Sequence, residues 1–219
     1  MSNLIIRIST SFLLVFILSI SLFINKYLFL TLLIISSFIS FHEFNNLIKK
    51  TIKNNKKLIK TVQILSIFFL ILFIYTSYEI YDRSLITIIW LISICIFSDT
   101  GGFIIGKLIG GKKLTKISPN KTIAGSIGSF VFSLFPLTFI TQVNDFLIYD
   151  DILLANLVIV SLLFSLVCQL GDLFISYFKR KAKVKDTGYI LPGHGGLLDR
   201  IDGLIFVLPI AFITDKIFF

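Results

Sequence analysis

The chain has 219 residues, 56% of them hydrophobic and 24 of them Phe. With a mean hydropathy of +0.94 it carries more apolar surface than a soluble domain of this size can bury, so the bilayer is its expected solvent. The net charge of +9 could suit nucleic acid, but the basic residues sit in short loops between apolar runs. Topology and anionic headgroups explain them there, and no nucleic-acid partner is expected.

Seven apolar segments follow in chain order, at roughly 4–24, 27–44, 61–78, 85–98, 122–141, 152–176 and 202–219. Most approach the roughly 20 residues that cross a bilayer. The first lacks an A-x-A-like cleavage site and leads directly into the second, so it reads as a retained helix. The segment 85–98 is short, and the glycines from Gly101 to Gly111 predict its continuation as a broken or re-entrant helix within 99–121. Cys95 and Cys168 lie inside apolar runs and read as small core residues. The expected fold is an all-α polytopic membrane protein with about seven transmembrane helices. Residues 1–219 read as one integral-membrane catalytic domain, with motif blocks at 98–122 and 169–203.

Charge orients the spans. Lys49, Lys50, Lys53, Lys56, Lys57 and Lys60 fill one loop, and Lys107, Lys112, Lys113, Lys116 and Lys121 a second. Lys179, Arg180, Lys181, Lys183, Lys185 and Arg200 fill a third. The alternate loops carry Glu79, Asp82 and Arg83, then Asp145, Asp150 and Asp151. Seven spans put all three basic loops and the N-terminus on the cytoplasmic side of the cell's inner membrane, with the C-terminus outside.

The basic loops hold more than lysine. The second contains Ser98-Asp99-Thr100-Gly101-Gly102 and, further on, Ser118-Pro119-Asn120-Lys121-Thr122. Its glycines suit either close helix packing or the approach of backbone N–H groups to an anion. Ser118, Lys121 and Thr122 at the mouth of a span favour a phosphate site, because a helix starting near Thr122 would aim its N-terminal amides at an anion. G-x-x-x-x-G-K-[ST] is absent. In the third region Asp172, Ser176, Lys179 and Lys183 have offsets of 4, 7 and 11, one stripe if the helix continues. A carboxylate inside a span is costly and normally meets a cavity, a partner or an ion.

Next come Lys185-Asp186-Thr187-Gly188, Pro192-Gly193-His194-Gly195-Gly196 and Asp199-Arg200-Ile201-Asp202. Asp199 and Asp202 lie at i, i+3 and with Asp172 could form an all-oxygen site for a hard cation, for which Mg²⁺ is suited. Arg200 suits bidentate phosphate recognition. His42 and His194 have no ligand spacing, so zinc is not expected. These residues point to phosphoryl or nucleotidyl transfer onto a lipid, with the nucleotide left open.

Here the sequence resembles the phosphatidate cytidylyltransferase family. The matching residues are Ser176, Lys179-Arg180, Lys185-Asp186, His194-Gly195-Gly196 and Asp199-Arg200-Ile201-Asp202, with Ser98-Asp99-Thr100-Gly101, Ser118-Pro119, Lys121-Thr122 and Gln169 through Leu173 upstream. Ile123-Ala124-Gly125 stands where the family has aromatic-Glu-Gly, Gly102 stands where it has alanine, and about a helix pair is expected to be missing before the first block. The resemblance implies CTP and phosphatidic acid as substrates, a lipid bilayer as setting, and CDP-diacylglycerol and diphosphate as products. It implies Asp172, Asp199 and Asp202 as metal residues, with Asp172, Asp199 and Lys179 catalytic. Ser118, Lys121, Thr122, Ser176, Arg180, Lys185, Asp186, His194 and Arg200 would bind substrate. It also implies Mg²⁺, a monovalent cation such as K⁺, and a homodimer. Two alternatives stay open: a related lipid nucleotidyltransferase or CTP-dependent lipid kinase, and a transporter using the buried charges as an ion path.

Overall fold

The computed structural model describes residues 3–52, 55–115, 117–142 and 154–218. Lys53, Lys116, Asp145, Asp150 and Asp151, on which part of the charge reading rests, lie outside the described residues. Among the described residues the regular elements are helices: α1 (Asn3–Ile24), α2 (Lys26–Thr51), α3 (Lys56–Arg83), α4 (Leu85–Ile109), α5 (Ile123–Phe132), α6 (Leu137–Ile140), α7 (Leu154–Lys181), α8 (Leu198–Ile201) and α9 (Leu204–Phe218). Among the described residues β-pairing is limited to two isolated bridges, Lys113 with Thr122 and Leu191 with Gly195.

Among the described residues six stretches are long and apolar enough to cross a membrane: α1 to α4, α7, and α5 with α6 taken together. The expected seventh, α9, has 15 residues and contains Pro209, because a turn at 202–203 separates it from α8. The helices overrun the apolar segments at their ends. Lys49 and Lys50 close α2, Lys56 and Lys57 open α3, and Lys179 to Lys181 close α7. Lysine is a good helix former, and its long stem lets the ammonium reach water from a helix end.

Two compact units make up the chain. One comprises Met1–Tyr78 and Phe178–Ile201, the other Glu79–Tyr177 and Asp202–Phe219. The chain boundaries of the units fall within α3 and α7 and just after α8.

In the second unit the glycine-rich stretch differs from its expectation. The chain stays helical through Gly101, Gly102 and Gly106 and stops at Gly110, whose φ is 64°. Those glycines are helix-packing positions. A Cβ at Gly125 would lie 2.8 Å from the Gly102 carbonyl oxygen, and one at Gly128 would lie 2.8 Å from that of Gly101. Helices α4 and α5 therefore touch backbone to backbone, as small residues allow in membranes. The interrupted span is the next one: α5 ends at Phe132, and a turn through Pro136 precedes α6. Its apolar faces look outward, as at Ile127 and Phe139, while Ser129 and Ser133 are buried.

Gly128→Leu is expected to lower the thermal midpoint of the detergent-solubilised protein, an overpacking cost of about 1–3 kcal/mol. Ile127→Leu, on an exposed face, should leave the midpoint in place; equal effects would contradict the close α4–α5 contact.

Candidate active site

Each unit holds a carboxylate–lysine pair. In the second unit, α7 presents Ser165, Gln169, Asp172 and Ser176 along one stripe, at spacings of three and four residues. Ser165, Gln169 and Ser176 are buried. Ser98 of α4 and Ser165 share a 2.9 Å hydrogen bond, and the Ser126 hydroxyl of α5 donates to Gln169 Oε1 at 2.5 Å. These bonds give the polar groups partners inside an apolar helix cluster, where an unsatisfied group would be costly. At the end of this polar row lies Asp172. Lys121 Nζ meets its Oδ2 at 2.5 Å, and the Ser176 hydroxyl donates to its Oδ1 at 3.1 Å. The Asp172 side chain is 25% exposed and that of Lys121 28%, so the pair is open to a ligand.

Lys121 reaches Asp172 because the loop before α5 is tied down locally. Lys121 N–H donates to Ser118 O at 3.1 Å, and Leu114 N–H donates to Lys121 O at 2.9 Å. The helix starts where the sequence places it, since the Thr122 hydroxyl accepts from Gly125 N–H at 3.0 Å and caps α5. Thr122 is buried in that role, and Ser118 is 9% exposed. Asp202 is buried, and its Oδ1 accepts from Gly203 N–H at 2.9 Å. Its carbonyl oxygen would lie 2.8 Å from a Cβ at Gly171, so residue 202 packs directly beside Asp172's neighbour.

The other pair, in the first unit, is Lys179 with Asp199, 2.7 Å apart. Both side chains are well shielded, at 12% and 6% exposure. Asp199 Oδ2 accepts three donors: Thr187 N–H at 2.7 Å, Thr187 Oγ1 at 2.9 Å and Gly196 N–H at 3.2 Å. The helical stripe expected to run to Lys183 ends at Lys181. Lys183 has φ 55°, with Val184 N–H donating to Lys179 O and Lys183 N–H to Arg180 O. That is a Schellman-type stop with a lysine in the usual glycine position.

His194 sits in a tight turn, 191–195, in which Gly193 takes φ 75°. Its ring is held by α1: Thr10 Oγ1 is 2.5 Å from Nδ1 and Ser11 Oγ 3.1 Å from Nε2. Arg7 Nε donates to Gly193 O at 2.9 Å, and Arg200 Nη2 donates to His194 O at 3.0 Å. Arg180, Lys185 and Arg200 are exposed, and Asp186 lies against Gly195.

The sequence alone assigns no role to Arg7, Thr10, Ser11 or Glu43, and shows Thr187 only as a member of its motif. Glu43 is 3% exposed on α2 and accepts from Thr187 and from the amides of Leu197 and Leu198. Its signal in the sequence is a lone carboxylate inside an apolar run. Among the described residues no group of three or more His, Cys, Asp or Glu side chains is arranged to hold a metal ion. The carboxylates Asp172 and Asp202 still offer oxygen donors of the kind a hard cation takes, and Mg²⁺ commonly completes its shell with water and substrate phosphate.

An all-α membrane protein with paired carboxylates and lysines is thus the class defined by fold and site. Residues 47–218 match the model of the Cytidylyltransferase family, and the chain belongs to that family. It is 45% identical over 135 residues to a phosphatidate cytidylyltransferase of Staphylococcus saprophyticus, covering 61% of this chain and 50% of the relative. It is 48% identical over 135 residues to one of Staphylococcus aureus, with the same coverages of 61% and 50%. For one of Rickettsia bellii the identity is 43% over 135 residues, covering 60% of this chain and 55% of the relative. The chain spans about half the length of these curated relatives.

The His194 pKa is held below its ordinary value, first by removal from water and then by the Arg200 and Arg7 guanidiniums. A depressed imidazole favours the neutral form, so its contribution to the folded turn is complete above about pH 6.5. That contribution is lost as pH falls through the lower folded value. The ring resonances of His194 should titrate with a midpoint below 6.5, and Arg7→Gln should raise it. A midpoint at or above the ordinary value would contradict the placement of the two guanidiniums.

Proposed function

We propose that this chain transfers the cytidylyl group of CTP to phosphatidate at the membrane surface. A phosphate oxygen of phosphatidate forms a bond to the α-phosphorus of CTP while the bond from that phosphorus to the leaving oxygen breaks. CDP-diacylglycerol and diphosphate result. The observation that carries this reading is the partly exposed Lys121–Asp172 pair at the start of α5, in a chain of the Cytidylyltransferase family.

The nucleophile is already anionic, so no strong base is needed, and the protein's task is positioning and charge neutralisation. Lys121 would meet a triphosphate oxygen, helped by the amides at the start of α5. Ser176 orients the Asp172 carboxylate. Exposed Arg180, Lys185 and Arg200 would attract the phosphates of both substrates. Asp172 and Asp202 would hold Mg²⁺, which when bound offsets charge on the leaving diphosphate; Asp199 enters the ligand set on its motif alone. Thr122, as the α5 cap, and Ser118, through the loop, support Lys121 more directly than they could touch substrate. The lysine asymmetry supports a cytoplasmic placement of the basic loops.

Purified protein with labelled CTP, phosphatidate and Mg²⁺ should form a CDP-lipid; release of CDP instead would assign a lipid kinase. Asp172→Asn should reduce turnover by roughly 10²–10³-fold, the scale of one lost transition-state contact. Normal turnover would remove Asp172 from the site. Lys179→Gln should lower turnover strongly, whereas the Lys56/Lys57 double neutralisation should change it little in micelles of fixed lipid content. Equal losses would bring the first basic loop into the site. In a cysteine-free background, a cysteine replacing Asn55 should resist labelling from outside intact cells; labelling would reverse the orientation.

A further inference from the structure

We propose that Glu43 is a positioning residue for the motif loop: from α2 it sets the placement of Thr187 and the 196–198 backbone, and through them of Asp199 and Lys179. The inference rests on the reading of that loop as part of a nucleotidyl-transfer site.

Glu43 is 3% exposed on a helix long and apolar enough to cross a membrane. A carboxylate there is costly unless donors within the protein answer it. Three donors do. Thr187 Oγ1 lies 2.8 Å and Leu198 N–H 2.9 Å from Oε2, and Leu197 N–H lies 3.1 Å from Oε1. All three belong to the segment from Thr187 to the first residue of α8, 144 to 155 residues further along the chain. The carboxylate also occupies space that side chains would otherwise fill. A Cβ at Gly188 or at Gly196 would fall on Glu43's carboxylate oxygens, and the one at Gly196 would also lie 2.7 Å from Gly188 N.

Asp199 competes for one of these donors. The Thr187 hydroxyl lies 2.8 Å from Glu43 Oε2 and 2.9 Å from Asp199 Oδ2. It has one proton, so it serves one carboxylate at a time. The consecutive amides of Gly196, Leu197 and Leu198 divide between the two: the first goes to Asp199, the others to Glu43. Asp199 Oδ1 in turn receives Lys179 Nζ at 2.7 Å. Phe44, next to Glu43, packs edge-on against Phe178, next to Lys179, with ring centroids 5.2 Å apart. The helix that carries Glu43 is thus registered against the helix end that carries Lys179. A glutamine at position 43 has one acceptor oxygen and turns an N–H₂ toward donors, so it cannot satisfy Thr187, Leu197 and Leu198 together.

The test uses the full chain in detergent micelles, with CTP, phosphatidate and Mg²⁺. Glu43→Gln is expected to lower kcat by about 10²-fold with little change in KM for CTP, the scale of a small misplacement of reacting groups. Thr187→Val should act in the same direction, and Thr187→Ser, which keeps the hydroxyl, should recover most of the loss. The Glu43→Gln/Thr187→Val double variant should be no slower than the slower single variant, because both act through one network. Losses that multiply would overturn the proposal, as would wild-type turnover in Glu43→Gln. A second arm needs no activity: tryptic cleavage after the exposed Lys185 should be faster in Glu43→Gln than in the parent, with cleavage at the lysines between positions 49 and 60 unchanged. Should Glu43→Gln fail to fold, Thr187→Val carries the same expectation in both arms. If the parent protein makes no CDP-lipid, the proposed activity fails while the protease arm still decides the role of Glu43. Unchanged cleavage after Lys185 would then reject it.

Discussion

Glu43 and Asp199 divide the amides at 196–198 between them and meet at one common donor, the Thr187 hydroxyl, and these bonds tie down the segment between α7 and α8. The underlying constraint is dielectric. In an apolar helix cluster water is scarce, so each carboxylate must find its donors within the chain. A loop rich in glycine can bring several backbone amides to one carboxylate, which a helix or strand cannot do while pairing those amides itself.

The same constraint organises the second unit. Backbone contact between α4 and α5 depends on glycine at both surfaces, and it brings the start of α5 close to α7. Lys121 then reaches Asp172, and Ser98, Ser126, Ser165 and Gln169 find partners across α4, α5 and α7. The glycines and the polar row form one device: the first permits close approach, and the second makes a buried polar stripe tolerable.

Helix α7 contributes to both pairs, giving Asp172 to one and Lys179 to the other, seven residues apart in the chain. The two pairs differ in openness. Lys121–Asp172 is about a quarter exposed, whereas Lys179–Asp199 is nearly closed. An open pair suits contact with ligands, and a closed pair suits holding a loop in place. That contrast divides a motif whose residues look equivalent when written in one line.

Hydropathy by itself determined the all-α membrane class and the approximate limits of most helices, because a span must be long and apolar whatever it packs against. The motif residues 98–122 and 169–203 also stood out in the sequence, since clustered Asp, Lys and Gly are expensive in such a chain. Only the tertiary structure decided what each residue does there. Gly101, Gly102 and Gly106 could equally have cradled an anion or packed a helix, and α5 made them packing residues. Thr122 became a cap, and Lys183 left the helical stripe once α7 stopped at Lys181. Glu43 gained its role from donors more than 140 residues away, and no local periodicity encodes a contact of that separation. Side-chain type and spacing limit the available chemistry, but partners, burial and the division of donors arise only when distant segments meet.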